Sequence, residues 1–131
     1  MAEGRVGIGV VGAGYWGPNL IRNFAALKQC RLLAVCDLSA QRLAEVEQNY
    51  PGVRTTPHLE ELLEDGAIQG IALATPVDTH HHMASQVLQA GKSVFVEKPL
   101  ARSAVECEEL IGLALKHDKV LMVGHTFEFN T

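Results

Sequence analysis

Three glycines (Gly12, Gly14, Gly17), an acid (Asp37), a lysine (Lys98) and the run His80-His81-His82 are the residues whose type and spacing invite chemistry. The glycines follow the apolar run Val6-Gly7-Ile8-Gly9-Val10-Val11 and open a helical pattern, giving G-x-G-x-x-G between a strand and a helix. In that setting Gly12 lets the chain turn off the strand, Gly14 lets backbone approach a pyrophosphate, and Gly17 lets the helix pack close to the strand. Phosphates placed there meet free N–H groups and the positive end of a helix dipole. The expected ligand is a dinucleotide. Tyr15 and Trp16 fill the variable slots of the turn and are expected to shape the pyrophosphate or adenine region, not to react.

Asp37 lies 25 positions beyond Gly12, near the spacing of about 20 at which an acid takes hydrogen bonds from a ribose 2′-hydroxyl. A carboxylate there repels a 2′-phosphate, so NAD is expected over NADP, with Arg42 on the next helix softening the discrimination. The alternative is an Asp that only caps the helix after its strand. Lys98 ends a strand, and Pro99 restricts the backbone beside it. A lysine at such an edge is expected to take or return a hydroxyl proton while a hydride moves; the alternative is a surface lysine. The three histidines suggest a metal, but consecutive helical residues point about 100° apart and cannot converge on one ion. No metal site is expected. His80 shares a helix face with Ala84 and Val87 near the ligand edge, whereas His81 and His82 are expected to be solvated or partly packed.

The elements that must carry these residues alternate. Strands are expected over Arg5–Val11, Arg31–Asp37, Val53–Thr55, Ala67–Ala74, Ser93–Glu97 and Val120–Gly124. Helices are expected between them, from about Tyr15 to Lys28 (Leu20, Ile21, Phe24 and Leu27 inward), after Ser39 (Leu43 and Val46 inward), and after Thr56-Pro57 as N-cap and first position. Two more run from about Thr79 to Ala90 and after the capping box Ser103-Ala104-Val105-Glu106, the latter with Cys107, Leu110, Ile111 and Ala114 on one face. The pattern predicts an α/β doubly wound parallel sheet, a Rossmann fold of six strands in the order 3-2-1-4-5-6. Ligands of such sheets bind outside the carboxyl ends of the strands. Those ends are the glycine turn, Asp37, Thr75-Pro76, Glu97-Lys98-Pro99 and His125, so most of the reactive residues share one edge.

Composition sets bounds. The 131 residues suffice for one domain with a core, and 47% hydrophobic with 20% charged residues is ordinary for a globular chain. A formal net charge of −4 gives no basic footprint for nucleic acid. No apolar run is long enough to span a membrane, and Met1-Ala2-Glu3-Gly4-Arg5 lacks the layout of a secretory signal. Cys30, Cys36 and Cys107 form an odd set without metal spacing, read as reduced thiols in a cytoplasmic protein.

With Gly12-Ala13-Gly14-Tyr15-Trp16-Gly17, Ala74-Thr75-Pro76, His80, Ala90-Gly91-Lys92 and Glu97-Lys98-Pro99, the chain resembles the Gfo/Idh/MocA family of sugar and inositol oxidoreductases. Pro18-Asn19-Leu20 and Arg22-Asn23-Phe24 make it most similar to the sugar-nucleotide 3-dehydrogenases of that family. The resemblance implies that Lys98 is the catalytic or substrate-orienting lysine and that the Lys98-Pro99 bond is cis. It also implies that Thr75, Pro76, His80, Glu97 and Pro99 lie on the cofactor, and that Gly124-His125-Thr126-Phe127 leads toward a second domain. Residues 1–131 would then be the NAD-binding domain. The family's substrate domain, with its remaining catalytic residues and its homo-oligomer interface, lies outside this chain, and His125 comes too early to replace its histidine. Turnover by the isolated chain is expected to be negligible. Without that domain, the edge of the sixth strand or an apolar face is expected to be exposed.

The function implied is hydride transfer between nicotinamide and a hydroxyl-bearing carbon of a sugar or sugar nucleotide. A non-catalytic NAD-binding sensor is the alternative, for which Lys98 would have no use. Another nucleotide-dependent α/β enzyme, such as a methyltransferase, would not need Glu97-Lys98-Pro99.

Overall fold

The computed structural model describes residues 4–14 and 17–124. Its strands are β1 (Val6–Val11), β2 (Cys30–Cys36), β3 (Arg54–Thr56), β4 (Gly70–Leu73), β5 (Ser93–Glu97) and β6 (Leu121–Gly124). The helices are α1 (Gly17–Ala26), α2 (Ala40–Asn49), α3 (Leu59–Leu63), α4 (His80–Gln89) and α5 (Ala104–His117), with a 3₁₀ turn at Val77–Thr79 just before α4. All strand pairs are parallel, in the order β3-β2-β1-β4-β5-β6. The expected fold and strand order are what the structure has. The order reverses between β1 and β4, and that reversal opens the crevice where ligands of such sheets sit.

Side chains alternate across the sheet, so each face builds its own core. Ile8, Val10, Val35 and Ala72 pack against Leu20 and Ile21 of α1 and Leu43 and Val46 of α2. On the other face Val11, Ile71, Leu73, Val94 and Val96 meet Leu62 of α3, Ala84, Val87 and Leu88 of α4, and Leu110 of α5. Leu20, Leu62, Leu73, Leu88 and Leu110 are fully enclosed, and each contributes roughly 2 kcal/mol by leaving water. At the amino edge of the sheet, buried Lys92 donates from Nζ to the carbonyls of Asp65 (2.8 Å) and Ile68 (2.7 Å). Burial lowers its pKa, a pull that the nearby Asp65 opposes. The lysine of Ala90-Gly91-Lys92 thus pins the loop before β4 and lies away from the ligand edge.

The expected boundaries shift where tertiary pairing outweighs local signals. Thr56 does not cap α3: it pairs with Cys36 as the last residue of β3, and its hydroxyl accepts from the His58 N–H at 3.0 Å. His58 becomes the N-cap, without a side-chain bond. Leu27 falls beyond the end of α1 and is 45% exposed, and Ile111 points outward from α5 at 49%. Ser39 and Ser103 cap α2 and α5, their hydroxyls accepting from the N–H groups of Arg42 and Glu106. The Glu106 carboxylate reaches back to the Arg102 N–H rather than to that of Ser103.

On the α1 face, a groove of about 330 Å³ runs over β4 and β5, lined by Phe24, Ala72, Phe95 and Met122 among others. Phe24 meets Phe95 edge-on there, with ring centroids 6.3 Å apart. Val120, just before β6, and Met122 and Val123 within it are exposed.

Candidate cofactor site

The turn after β1 is built around two glycines. Gly12 has φ +98°, and a Cβ on it would lie 2.6 Å from the Ala74 carbonyl oxygen. A Cβ on Gly17 would lie 2.2 Å from the carbonyl oxygen of Gly12. No other side chain fits either position without backbone movement. The Gly12 N–H donates to the Cys36 carbonyl at 2.7 Å, tying the turn to β2.

Asp37, half-buried just past β2, completes that tie. One carboxylate oxygen accepts from the Ala13 N–H at 2.6 Å, the other from the Ser39 N–H at 2.7 Å. The helix-capping and glycine-turn readings therefore meet in one side chain, because Asp37 joins the turn to the start of α2. A carboxylate has about four lone-pair sites, so capacity remains for ribose hydroxyls. Arg42 packs against Gly14, its Nη1 3.1 Å from where a Cβ would stand. This places a guanidinium beside the turn, a larger part than the sequence suggested.

A cavity of about 330 Å³ opens between these groups and the end of β4, lined by Gly12, Asp37, Leu38, Arg42, Thr75 and Pro76 among others. Sequence reasoning missed Leu38, Thr79 and Met83 on its wall; their places just past β2 and on the stretch after β4 were the available signal. Cys36 also lines it, and its thiol pKa is pushed up to about 11 by burial, with the charges of Asp37, Glu60 and Glu61 adding to the effect.

The other end of the cleft comes from β4, β5 and β6. The hydroxyl of Thr79 lies 2.8 Å from that of Thr75 and donates to the Pro76 carbonyl at 2.6 Å. Lys98 is exposed at the end of β5, its N–H donating to the Gly124 carbonyl at 3.1 Å, and the Lys98-Pro99 bond is cis. Glu97 is 5% exposed and His80 2%. The His80 ring spends both nitrogens on backbone carbonyls, those of Pro99 (2.9 Å) and Thr75 (2.8 Å). It stands behind the wall of the cleft rather than presenting a ring nitrogen to a ligand.

His81 reaches α5 instead, its Nε2 2.7 Å from a Glu109 carboxylate oxygen, and His82 is exposed. Among the described residues no three His, Cys, Asp or Glu side chains are grouped to hold a metal ion, and no helix is long and apolar enough to cross a membrane. The expectations for Tyr15, Trp16 and His125 fall outside the described residues.

This geometry fits a dinucleotide: the turn leaves no room for a Cβ at Gly12 or Gly17, and a carboxylate and a guanidinium flank a cavity at the switch point. Comparison with known proteins agrees. The chain is 34% identical to UDP-N-acetylglucosamine 3-dehydrogenase of Acidithiobacillus ferrooxidans over 117 residues, which is 89% of this chain and 36% of that protein. Among solved structures, GenD2 from gentamicin A biosynthesis in complex with NAD superposes with a TM-score of 0.89 at 32% identity, covering 95% of this chain and 35% of that one. Biliverdin reductase from Synechocystis, in complex with biliverdin and NADP+, gives 0.85 at 31%, covering 92% and 38%. The chain thus spans a little over a third of the length of these relatives. The model of the Gfo/Idh/MocA oxidoreductase family, NAD-binding Rossmann fold, matches residues 6–125, and the chain belongs to that family.

Proposed function

We propose that this chain is the cofactor half of an oxidoreductase that moves a hydride between nicotinamide and a hydroxyl-bearing carbon of a sugar or sugar nucleotide. The observation that carries the reading is the coincidence, on one sheet edge, of the glycine turn braced by Asp37 and the exposed Lys98 at the end of β5. NAD, when bound, supplies the hydride acceptor. Backbone N–H groups of the glycine turn and α1 hold the pyrophosphate. Asp37 takes the ribose hydroxyls and disfavours a 2′-phosphate, and Thr75 and Pro76 form the wall beside the nicotinamide end. The Lys98 amine accepts the hydroxyl proton of the substrate as the hydride leaves its carbon, and returns it in the reverse direction. Similarity to a UDP-N-acetylglucosamine 3-dehydrogenase supports the sugar-nucleotide class. Residues for substrate choice, and for subunit assembly in a homo-oligomer working in the cytoplasm, belong to a second domain outside residues 1–131.

A chimera tests this: residues 6–124 replace the matching segment of the Acidithiobacillus enzyme, and NADH formation is followed with UDP-N-acetylglucosamine. Turnover is expected, and Lys98→Met should lower kcat by roughly a thousandfold while NADH still binds. A chimera that binds NADH but is indifferent to Lys98→Met would point to the non-catalytic, sensor-like reading.

A further inference from the structure

The parallel ladder between β4 and β5 ends at the pair Leu73 and Val96. Beyond it the two chains run on as the loops at Thr75-Pro76 and Lys98-Pro99. The His80 ring lies between these loops, with Nε2 on the Thr75 carbonyl and Nδ1 on the Pro99 carbonyl, partners 5 and 19 residues away. Both partners only accept. A ring protonated on both nitrogens donates to both, while a neutral ring donates to one and turns a lone pair toward the other. The docking of α4 has no need of this polar ring, since Ala84, Val87 and Leu88 already bury its inner face completely. What the ring adds is a join between two loops that the sheet no longer connects.

Resting on the cofactor-domain reading above, we propose that His80 is a positioning residue: it holds the Thr75-Pro76 and Lys98-Pro99 loops at one separation and so shapes the nicotinamide end of the cleft without touching the cofactor. The adenosine end is built on Gly12, Gly14, Asp37 and Arg42, to which His80 makes no hydrogen bond, although the Thr75 that it holds borders the same cavity.

The experiment titrates the chain, and its His80→Phe and His80→Gln variants, with NADH and with ADP-ribose, which lacks only the nicotinamide ring. NADH fluorescence is recorded alongside. His80→Phe should weaken NADH roughly tenfold and lose the enhanced nicotinamide emission, while ADP-ribose affinity stays within about twofold. His80→Gln, able to restore one of the two bonds, should fall between. Equal weakening of both ligands in both variants would mean that His80 serves only the fold, and unchanged binding of both would mean that the join does nothing; either overturns the proposal. Should the unaltered chain bind neither ligand, the cofactor reading itself fails, and this inference with it.

Discussion

The two ends of the proposed cofactor cleft, one assigned to adenosine and the other to nicotinamide, are built by different means. At the adenosine end a tight turn sits directly after β1, and its geometry comes from missing side chains and from backbone N–H groups held by one carboxylate, Asp37. At the nicotinamide end two loops leave the sheet separately, and a side chain from a third element, His80 of α4, joins them through their carbonyls. The first design tolerates almost no substitution because the chain itself occupies the space. The second is a span with one tie, and it should yield locally while the rest of the cleft stands. A rigid anchor for the unreactive half of a dinucleotide and a wall held by one side chain beside the reacting ring is a sensible division of labour.

Gly12→Ala tests the rigid end hardest. The new Cβ combines a left-handed φ with a contact of 2.6 Å to the Ala74 carbonyl oxygen, a strain of about 3 kcal/mol or more. Titration should show no binding of NADH or of ADP-ribose, and the melting temperature should fall by roughly 10 °C. Retained ADP-ribose binding would show the turn to be more pliant than its geometry implies, and would erase the contrast with His80.

A smaller effect concerns Cys36, on the wall of the cavity beside Asp37. Thiolate is the reactive form, and a thiol pKa of about 11 leaves very little of it near neutrality. At about pH 8, iodoacetamide should modify partly exposed Cys107 well before Cys36, with Cys36 labelling rising only as pH approaches its raised pKa. Peptide mass spectrometry reads the order. Because the Asp37 charge contributes to the raised pKa, Asp37→Asn should speed Cys36 labelling modestly. Early modification of Cys36 would mean that the wall beside Asp37 opens more readily than its burial implies.

Legibility in the sequence followed the same division. The glycine spacing, the acid after β2 and the alternation of elements are local signals, and they led to the strand order and to the proposed adenosine site. Contacts made through tertiary structure were harder to read. The helical face of His80 and its place near the edge are visible in the sequence, and the family resemblance implied a place on the cofactor, whereas the carbonyls that occupy its ring are supplied by loops brought together only on folding. Thr56 carried a capping signal, but the β2 partner Cys36 claimed it for a strand. Ile111 and Leu27 followed the helical period, yet the covering surface did not extend to them. Arg42 was visible as a charge, but its approach to Gly14 depends on how α2 docks.

The most direct test of the central claim is a calorimetric titration of the chain with NAD and with NADP, repeated on Asp37→Asn. If Asp37 both braces the turn and takes the ribose hydroxyls, NAD binds at least about tenfold more tightly than NADP, and the substitution weakens NAD by a similar factor while narrowing the gap. NADP bound as tightly as NAD by the unaltered chain, or a gap untouched by Asp37→Asn, would contradict the assignment of Asp37 and leave Arg42 as the group that reads the ribose.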